Sequence, residues 1–145
     1  ERRHWGEYRV LDSSVHPDGR MSLAKELVVG PGCQLSYQAH ARRSEVWTVV
    51  SGEGEVVLDG EVSCVGVGSV AKIPPGRLHA VRAFTELRII EVQLGDVLVE
   101  EDIVRFGYYW NSIEGPKGKA VAVGDDACNE DLFGHGRAEG KDGAA

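Results

Sequence analysis

The sequence predicts an all-β domain, built as a sandwich or a barrel. Short runs rich in valine, isoleucine and leucine recur about every eight to ten residues, and turns containing glycine, proline or Asp-Gly separate them. No stretch shows a helical period of comparable strength. Several short strands at this spacing are typical of antiparallel barrels and two-layered sheets.

Each predicted strand ends at a recognisable turn. Alternation over residues 7–11 predicts the first strand, and the turn-forming residues from Asp12 to Gly19 predict a loop after it. Asp59-Gly60 is a strong two-residue hairpin signal between strands at 55–58 and 61–65. The remaining strands are predicted over residues 24–29, 34–40, 45–50, 69–73, 78–81 and 87–93, and any helix is expected over residues 100–105.

The chain of 145 residues is long enough for one domain with a core of its own. The predicted strands place a barrel over residues 1–106. From residue 107 to residue 145 the chain is glycine-rich and polar, which predicts an extended or poorly ordered tail. The apolar run Tyr108-Tyr109-Trp110 predicts that the tail is partly docked on the barrel.

Charge and composition argue against several classes of partner. The formal net charge of −7 disfavours nucleic acid or an anionic membrane as the main partner. A hydrophobic content of 42% without a long apolar run predicts no membrane span.

The first residues are too polar for a signal peptide, and three widely spaced cysteines without a CxxC motif predict reduced thiols. A cytoplasmic protein is therefore expected.

Four side chains in the middle of the chain are candidates to hold a divalent metal ion. Gln38 and His40 are two apart on a predicted strand and so share a face. Glu45 comes beside His40 if the bend between them returns the chain antiparallel, and the turn before His79 can direct that residue to the same place. Two imidazoles, one carboxylate and one amide oxygen suit zinc, iron, manganese, cobalt or nickel rather than calcium.

A metal ion with one charged ligand would stay positive and attract an anionic or polyhydroxylated substrate. Glu91 and Gln93 share a face of the last strong strand and are candidates to line the interior. Arg42 and Arg43 face opposite ways on an extended strand, and Arg43 is preferred for the site. If the site catalyses a proton transfer, Glu91 and Lys72 are both candidates for the general base, and a carboxylate near the metal would be the better base.

Two spacings in this region resemble the pair of motifs of the cupin superfamily. The stretch Gly32-x5-Gln38-x-His40-x4-Glu45-x6-Gly52 is similar to the first motif, with glutamine in place of its first histidine. The stretch Gly68-x5-Pro74-x-Gly76-x2-His79 is similar to the second motif. The resemblance implies a jelly-roll barrel (a double-stranded β-helix) in which the four side chains above are the metal ligands.

The chain further resembles the cupin domain at the C-terminus of type II mannose-6-phosphate isomerases, the bifunctional mannose-1-phosphate guanylyltransferase/isomerase enzymes. The resemblance covers residues 2–106, and no nucleotide-binding glycine loop of a guanylyltransferase is present. The family usually has histidines where Ala41, Arg42 and Val46 stand. The matching stretches are residues 3–8, 28–32, 38–47, 91–95 and 101–105.

This resemblance implies an isomerase that converts a hexose 6-phosphate from aldose to ketose, such as mannose 6-phosphate to fructose 6-phosphate. It implies a bound divalent metal, with zinc expected before iron, manganese, cobalt or nickel. A phosphorylated or polyhydroxylated sugar is the expected partner, and a homodimer is the expected assembly. The expected catalytic residues are Arg43, where the family's conserved arginine falls, and Glu91. The expected substrate-binding residues are Arg43, Lys72, Gln93 and Arg105.

Two other functions stay open. Both candidate histidines with Glu45 form a two-histidine, one-carboxylate set that suits Fe²⁺, which would make the protein an iron-dependent cupin dioxygenase. The amide of Gln38 argues against this function, because it is a weak donor and fills a position. The other alternative is a non-catalytic cupin that binds a sugar or another metabolite, since this scaffold hosts many functions.

Overall fold

The computed structural model of the protein describes residues 1–107, and every regular element in that range is a β-strand. Eleven strands form two antiparallel sheets. The strands are β1 (Arg2–Arg3), β2 (Gly6–Val15), β3 (Met21–Val29), β4 (Tyr37–Ala39), β5 (Arg43–Ser51), β6 (Gly54–Leu58), β7 (Glu61–Val65), β8 (Val70–Ile73), β9 (His79–Ala83), β10 (Leu87–Gly95) and β11 (Val104–Gly107).

The two sheets face each other across an apolar core. The strand order is β1-β2-β3-β10-β5-β8 in the six-stranded sheet and β11-β4-β9-β6-β7 in the five-stranded sheet. Both sheets contribute buried side chains to the core, among them Leu27, Val49, Val56, Val81 and Ile89. The prediction of an all-β, two-layered barrel is confirmed.

Alternation of side chains decides which residues of the central strands point inward. In β5 the residues from Arg43 to Val49 alternate between buried and partly buried positions, and β10 alternates in the same way from Leu87 to Gln93. Because the side-chain period of a strand is two, the odd-numbered residues of both strands face the barrel interior.

The register of β3, β10 and β5 divides the interior of the barrel into an apolar and a polar end. At the apolar end Leu27, Ile89 and Val49 stand side by side on the three strands. Since inward positions recur every second residue, the next rows continue across the same face. These rows are Lys25–Glu91–Trp47 and then Leu23–Gln93–Glu45.

Glycine is required at two turns. Asp59-Gly60 makes the predicted hairpin between β6 and β7, and both residues have positive φ (46° and 84°), as a type I′ turn demands. Gly52, between β5 and β6, has φ 89°, and a Cβ there would lie 2.0 Å from the carbonyl oxygen of Glu86. Gly52 is therefore fixed by both conformation and space.

Three predicted boundaries are wrong. β2 continues to Val15, because residues that favour turns still pair with β3, so the expected loop shortens to residues 16–20. The third predicted strand shortens to Tyr37–Ala39. Residues 100–105 form no helix, because β11 begins at Val104 and pairs with β4.

Other expectations concern the tail and the cysteines. The tail predicted over residues 107–145, with its docking segment, lies outside the described residues except for Gly107. Cys64 is a free, exposed thiol, as expected for a reduced cysteine. Within residues 1–107 no helix is long and apolar enough to cross a membrane.

Candidate metal centre

Three buried side chains converge at the polar end of the barrel. His40 follows β4, Glu45 lies on β5 and His79 opens β9, with exposed fractions of 3%, 2% and 1%. One ligand atom from each lies within 4.8 Å of the others. His40 Nε2 is 3.2 Å from Glu45 Oε2, and His79 Nε2 is 3.7 Å from Glu45 Oε1. The three residues are called the donor cluster below.

Backbone carbonyls hold both imidazoles of the donor cluster in one tautomer. His40 Nδ1 lies 2.6 Å from the carbonyl oxygen of Asp102, and His79 Nδ1 lies 2.8 Å from that of Arg77. Because a carbonyl oxygen only accepts, each Nδ1 carries a proton, and each Nε2 faces Glu45 with its lone pair available in the neutral ring. Burial lowers the pKa of His79.

Glu45 places a carboxylate between the two rings. Its Oε2 accepts a hydrogen bond from Arg43 Nε at 2.9 Å, and its Oε1 accepts one from Trp47 Nε1 at 3.0 Å. Burial on its own would raise the pKa of Glu45. The neighbouring His40, His79 and Arg43 outweigh burial and lower the pKa to about 2, so the carboxylate is ionised at neutral pH.

The donor cluster fits a divalent transition-metal ion. The Nε2 atom of His79 is buried and has no hydrogen-bond partner within residues 1–107, which costs free energy unless a ligand satisfies it. Imidazoles whose Nδ1–H groups are hydrogen-bonded, together with a carboxylate, are typical ligands of zinc and iron. Gln38 stands opposite His79 in the register of β4 and β9 and is partly buried, so its side chain lies on the same face of the sheet as that of His79.

The guanidinium of Arg43 reaches into the donor cluster. Its Nη2 lies 3.2 Å from His40 Nε2, while its Nε donates to Glu45. Arg43, the first residue of β5, is buried, whereas Arg42 directly before the strand is exposed and pairs with Asp96. Arg43 therefore contacts the same two atoms that a metal ion would use, and it must shift when a metal ion binds.

A cavity of about 190 Å³ is bounded in part by Arg43, so it adjoins the donor cluster. Its walls come from strands of both sheets and from the loop segments between them, including the segment that precedes β11. Basic and polar side chains make up much of the lining. The residues predicted from the sequence that line this cavity are Gln38, Arg43, Glu91, Gln93 and Arg105.

Lys72 does not reach the cavity. It is exposed on β8 and pairs with Val46 on the outer face of β5, whereas the next residue, Ile73, is buried opposite Glu45. Because side chains alternate along the strand, the inward position belongs to Ile73. The structure therefore removes Lys72 from the candidates for substrate binding and for the base.

Glu91 is a buried carboxyl group on the cavity wall. Its Oε1 accepts a hydrogen bond from Gln93 Nε2 at 2.8 Å, and its Oε2 accepts one from Trp47 Nε1 at 3.0 Å. Trp47 Nε1 thus lies between Glu91 and Glu45. Burial, and then repulsion from Glu45, raises the pKa of Glu91 to about 8. A carboxyl group with a pKa near neutrality suits proton transfer.

Sequence reasoning missed two residues of this site. The Asp102 carboxylate accepts hydrogen bonds from the backbone N–H groups of Ala41 and Arg42, both at 2.9 Å, and so fixes the bend after His40. No local sequence pattern indicates a role for Asp102, because it lies in the loop between β10 and β11. Lys25 is buried on the cavity wall, and its position two residues before the inward-facing Leu27 was a signal that could have found it.

Comparisons with known proteins place the chain in a family. The family model described as mannose-6-phosphate isomerase C-terminal matches residues 1–108. A mannose-1-phosphate guanylyltransferase from Escherichia coli K12 is 37% identical over 106 residues, which are 72% of this chain and 21% of that protein. The alginate biosynthesis protein AlgA from Pseudomonas putida is 38% identical over 123 residues, which are 83% of this chain and 24% of that protein. The chain thus spans less than a quarter of the length of these relatives.

A solved structure gives the same fold. A variant of the oxalate decarboxylase OxdC from Bacillus subtilis covers 58% of this chain and 24% of its own, with 18% identity and a TM-score of 0.53. The likeness concerns the fold alone, and it confirms the predicted cupin barrel. Because the family model matches residues 1–108, well over half of the chain, the chain belongs to the mannose-6-phosphate isomerase C-terminal family.

Proposed function

We propose that the protein is a metal-dependent sugar-phosphate isomerase that converts the aldose form of a hexose 6-phosphate into the ketose, such as mannose 6-phosphate into fructose 6-phosphate. The observation that carries the proposal is the pairing of the donor cluster with a second buried carboxyl group, Glu91, joined to it through Trp47. Isomerisation needs both parts, since one must stabilise negative charge on oxygen and the other must move a proton between adjacent carbons.

The donor cluster, together with Gln38, would hold the metal ion. Zinc is expected before iron, manganese, cobalt or nickel. When bound, the ion supplies Lewis-acid polarisation of the carbonyl and hydroxyl oxygens of the sugar. The buried, unpartnered Nε2 of His79 supports this assignment, because a metal ion would satisfy it.

Glu91 is the proposed base. Its ionised carboxylate takes the proton from C2 of the aldose, and the resulting carboxyl group returns a proton to C1 to give the ketose. The proton of the C2 hydroxyl passes to the C1 oxygen. Trp47 and Gln93 each donate a hydrogen bond to one oxygen of Glu91 and hold the carboxylate in place. These donors favour the ionised form that a base requires, and because the pKa is about 8 this form becomes the major one only above that pH.

Arg43 is the proposed electrostatic partner of the reacting oxygens. Its buried guanidinium lies at the border between the donor cluster and the cavity, where it can donate to an oxygen that gains negative charge. Gln93 and Arg105 line the same cavity and are proposed to contact the sugar phosphate.

The family match and the geometry together support this proposal. The relatives bear names that refer to mannose-1-phosphate guanylyl transfer and to alginate biosynthesis. Those names belong to proteins more than four times as long as the matched region. Isomerisation by this chain is therefore proposed from its own donor cluster, base and cavity.

A coupled assay of mannose 6-phosphate to fructose 6-phosphate conversion tests the function. The protein is stripped of metal, reloaded in turn with each of the expected ions and analysed for metal content. Glu91→Gln should lower kcat by about 10²–10⁴-fold and abolish exchange of the C2 proton with solvent, with unchanged metal content. Glu86→Gln, at an exposed position, is the matched control. No conversion with any ion contradicts the proposal.

A second candidate is an iron-dependent dioxygenase, which the two-histidine, one-carboxylate composition of the donor cluster favours. This function predicts oxygen uptake that depends on Fe²⁺ and on no other ion. The non-catalytic alternative predicts binding of a sugar phosphate without turnover, and the homodimer stays a prediction of the family resemblance.

A further inference from the structure

Lys25 is a buried ammonium group on the cavity wall. The residue is 5% exposed and stands opposite Glu91 in the register of β3 and β10. Its Nζ lies 4.5 Å from the centroid of the Tyr8 ring, so a cation–π contact holds it in place. A lysine this deeply buried needs an anionic partner.

Glu100 supplies that anion from the loop between β10 and β11. Its Oε1 accepts a hydrogen bond from Lys25 Nζ at 2.7 Å. The two side chains differ sharply in exposure, since 62% of the Glu100 side chain is exposed and only 6% of the Lys25 side chain. The carboxylate of a largely exposed side chain therefore pairs with a buried cation on the cavity wall.

Two further basic residues lie on the wall of the same cavity. Arg3 and Arg43 line the cavity together with Lys25 and Glu100. Burial would raise the pKa of Glu100, but the three cations outweigh burial and lower that pKa. Arg3 also pairs with Glu1, so Lys25 is the principal partner of Glu100. A cavity lined by three cations suits an anion with more than one charge.

We propose that Lys25 and Arg3 form an anion subsite that takes the phosphate group of the substrate, with Arg43 on the side toward the reacting oxygens, and that the Glu100 carboxylate occupies this subsite until the phosphate displaces it. The proposal rests on the proposed function for the identity of the ligand, a phosphate monoester. A phosphate dianion replaces a carboxylate because it brings nearly twice the charge and an additional acceptor oxygen. A sugar held at Lys25 would extend past Glu91, the neighbour of Lys25 in the register, toward Trp47 and the donor cluster.

Isothermal titration calorimetry on the full chain tests the subsite, with inorganic phosphate, mannose 6-phosphate and mannose as separate probes. Glu100→Gln keeps the shape of the side chain but removes its charge, so both phosphates should bind about three- to fivefold more tightly. Lys25→Met should weaken both by about tenfold or more. Lys72→Met removes a lysine outside the cavity and should leave both affinities unchanged. Mannose lacks the phosphate and should respond to none of the three substitutions.

A second basic variant keeps the test decisive if Lys25→Met fails to fold. Arg3 is exposed, so Arg3→Gln should fold normally and weaken phosphate binding by about threefold. The proposal is overturned if wild-type protein binds neither phosphate, if Glu100→Gln fails to tighten binding, or if the folded basic variants bind as wild type does.

The two proposals fail separately. If no sugar phosphate is isomerised but the phosphate affinities change as expected, the anion subsite stands and the isomerase proposal falls. If mannose 6-phosphate is isomerised but the variants leave its affinity unchanged, the isomerase proposal stands and the anion subsite falls.

Discussion

His79 is the residue whose surroundings most require an added ligand. The carbonyl of Arg77 takes its Nδ1–H, and its ring packs edge-on against Trp47 with centroids 5.4 Å apart. Its buried Nε2 then has no hydrogen-bond partner within the described part of the chain. The ring is thus held in an orientation that suits metal coordination, whereas without a metal ion its Nε2 has no hydrogen-bond partner among residues 1–107.

His79→Ala should therefore weaken zinc binding by about a hundredfold or more, because it removes a ligand from a prearranged set. Competition with a chromogenic chelator measures the affinity, and circular dichroism shows whether the barrel is intact. His16→Ala, at an exposed histidine, is the matched control. Equal zinc affinity in wild type and His79→Ala would remove the donor cluster as the metal site.

Substitution of Arg43, unlike that of His79, should not weaken zinc binding. Its guanidinium contacts His40 Nε2 and Glu45 Oε2, the atoms a metal ion would use. Arg43→Met should therefore retain zinc affinity or raise it, because a competing cation is gone. The same substitution should lower kcat by about 10²–10³-fold, since a donor to the developing oxyanion is lost.

Zinc titration and the isomerase assay on the same preparation separate these two effects. Arg42→Met tests a neighbouring arginine that is exposed and pairs with Asp96, and it should match wild type in both measurements. Loss of zinc from Arg43→Met would show instead that Arg43 supports the metal site.

At the scale of elements, the turn between β5 and β6 depends on a glycine. Gly52 combines φ 89° with a carbonyl oxygen 2.0 Å from the place of a Cβ, whereas Gly60 has φ 84° and open space. Gly60→Ala should cost only the conformational strain, about 1–2 kcal/mol. Gly52→Ala should cost about 3 kcal/mol or more, because the backbone must also move. Urea unfolding of both variants gives the comparison, and equal losses would contradict the steric role of Gly52.

The Lys25–Glu100 ion pair connects the loop between β10 and β11 to β3. The contribution of this pair to the free energy of unfolding should depend on pH. The folded state lowers the pKa of Glu100. The stabilisation is therefore fully present above the pKa of about 4.3 in the unfolded chain and is lost as the pH falls through the lower folded pKa. Because most of the Glu100 side chain is exposed, the contribution should not exceed about 1 kcal/mol.

Urea unfolding of metal-free wild type and Glu100→Gln measures this contribution. Wild type should be more stable than Glu100→Gln at pH 7, and the difference should shrink toward zero below about pH 4. Glu101→Gln, at the adjacent exposed carboxylate, should show a smaller difference at both pH values. A difference for Glu100→Gln that stays constant with pH would mean that the pair does not stabilise the loop.

Local chemistry explains which elements the sequence predicts correctly. Asp59-Gly60 identifies its hairpin because both residues tolerate positive φ. Asp12, Ser13 and Ser14 also favour turns, yet they continue β2, because pairing with β3 outweighs local preference. Residues 100–105 could not be assigned from pattern, since Val104 becomes a strand only through its pairing with β4.

The same distinction applies to the candidate site. The donor cluster lies at positions that the motif spacing specifies, and alternation places Arg43 and Glu91 inward. The pairing of Lys25 with Glu100 joins residues 75 positions apart, so no window of sequence contains it. Lys72 was assigned one position out of phase with the inward residue Ile73. Sequence pattern thus finds ligands within a motif but not the contacts that tertiary folding creates.

At the scale of the whole molecule, the donor cluster joins the two sheets. Glu45 belongs to β5 in the six-stranded sheet, while His79 belongs to β9 in the five-stranded sheet. His40 follows β4, which also lies in the five-stranded sheet. A metal ion bound to all three would therefore link the sheets across the barrel, and its free energy of binding would add to the stability of the fold.

Removal of metal should consequently destabilise the entire barrel. At a free zinc concentration 100 times Kd the ion contributes about 2.7 kcal/mol to the free energy of unfolding, so a chelator should lower Tm by roughly 10 °C for a domain of this size. Differential scanning calorimetry of zinc-loaded and chelator-treated protein measures the change. His79→Ala should unfold at one Tm under both conditions, because its cluster no longer binds the ion. An identical Tm for loaded and stripped wild type would show that the two sheets are held together without a metal link.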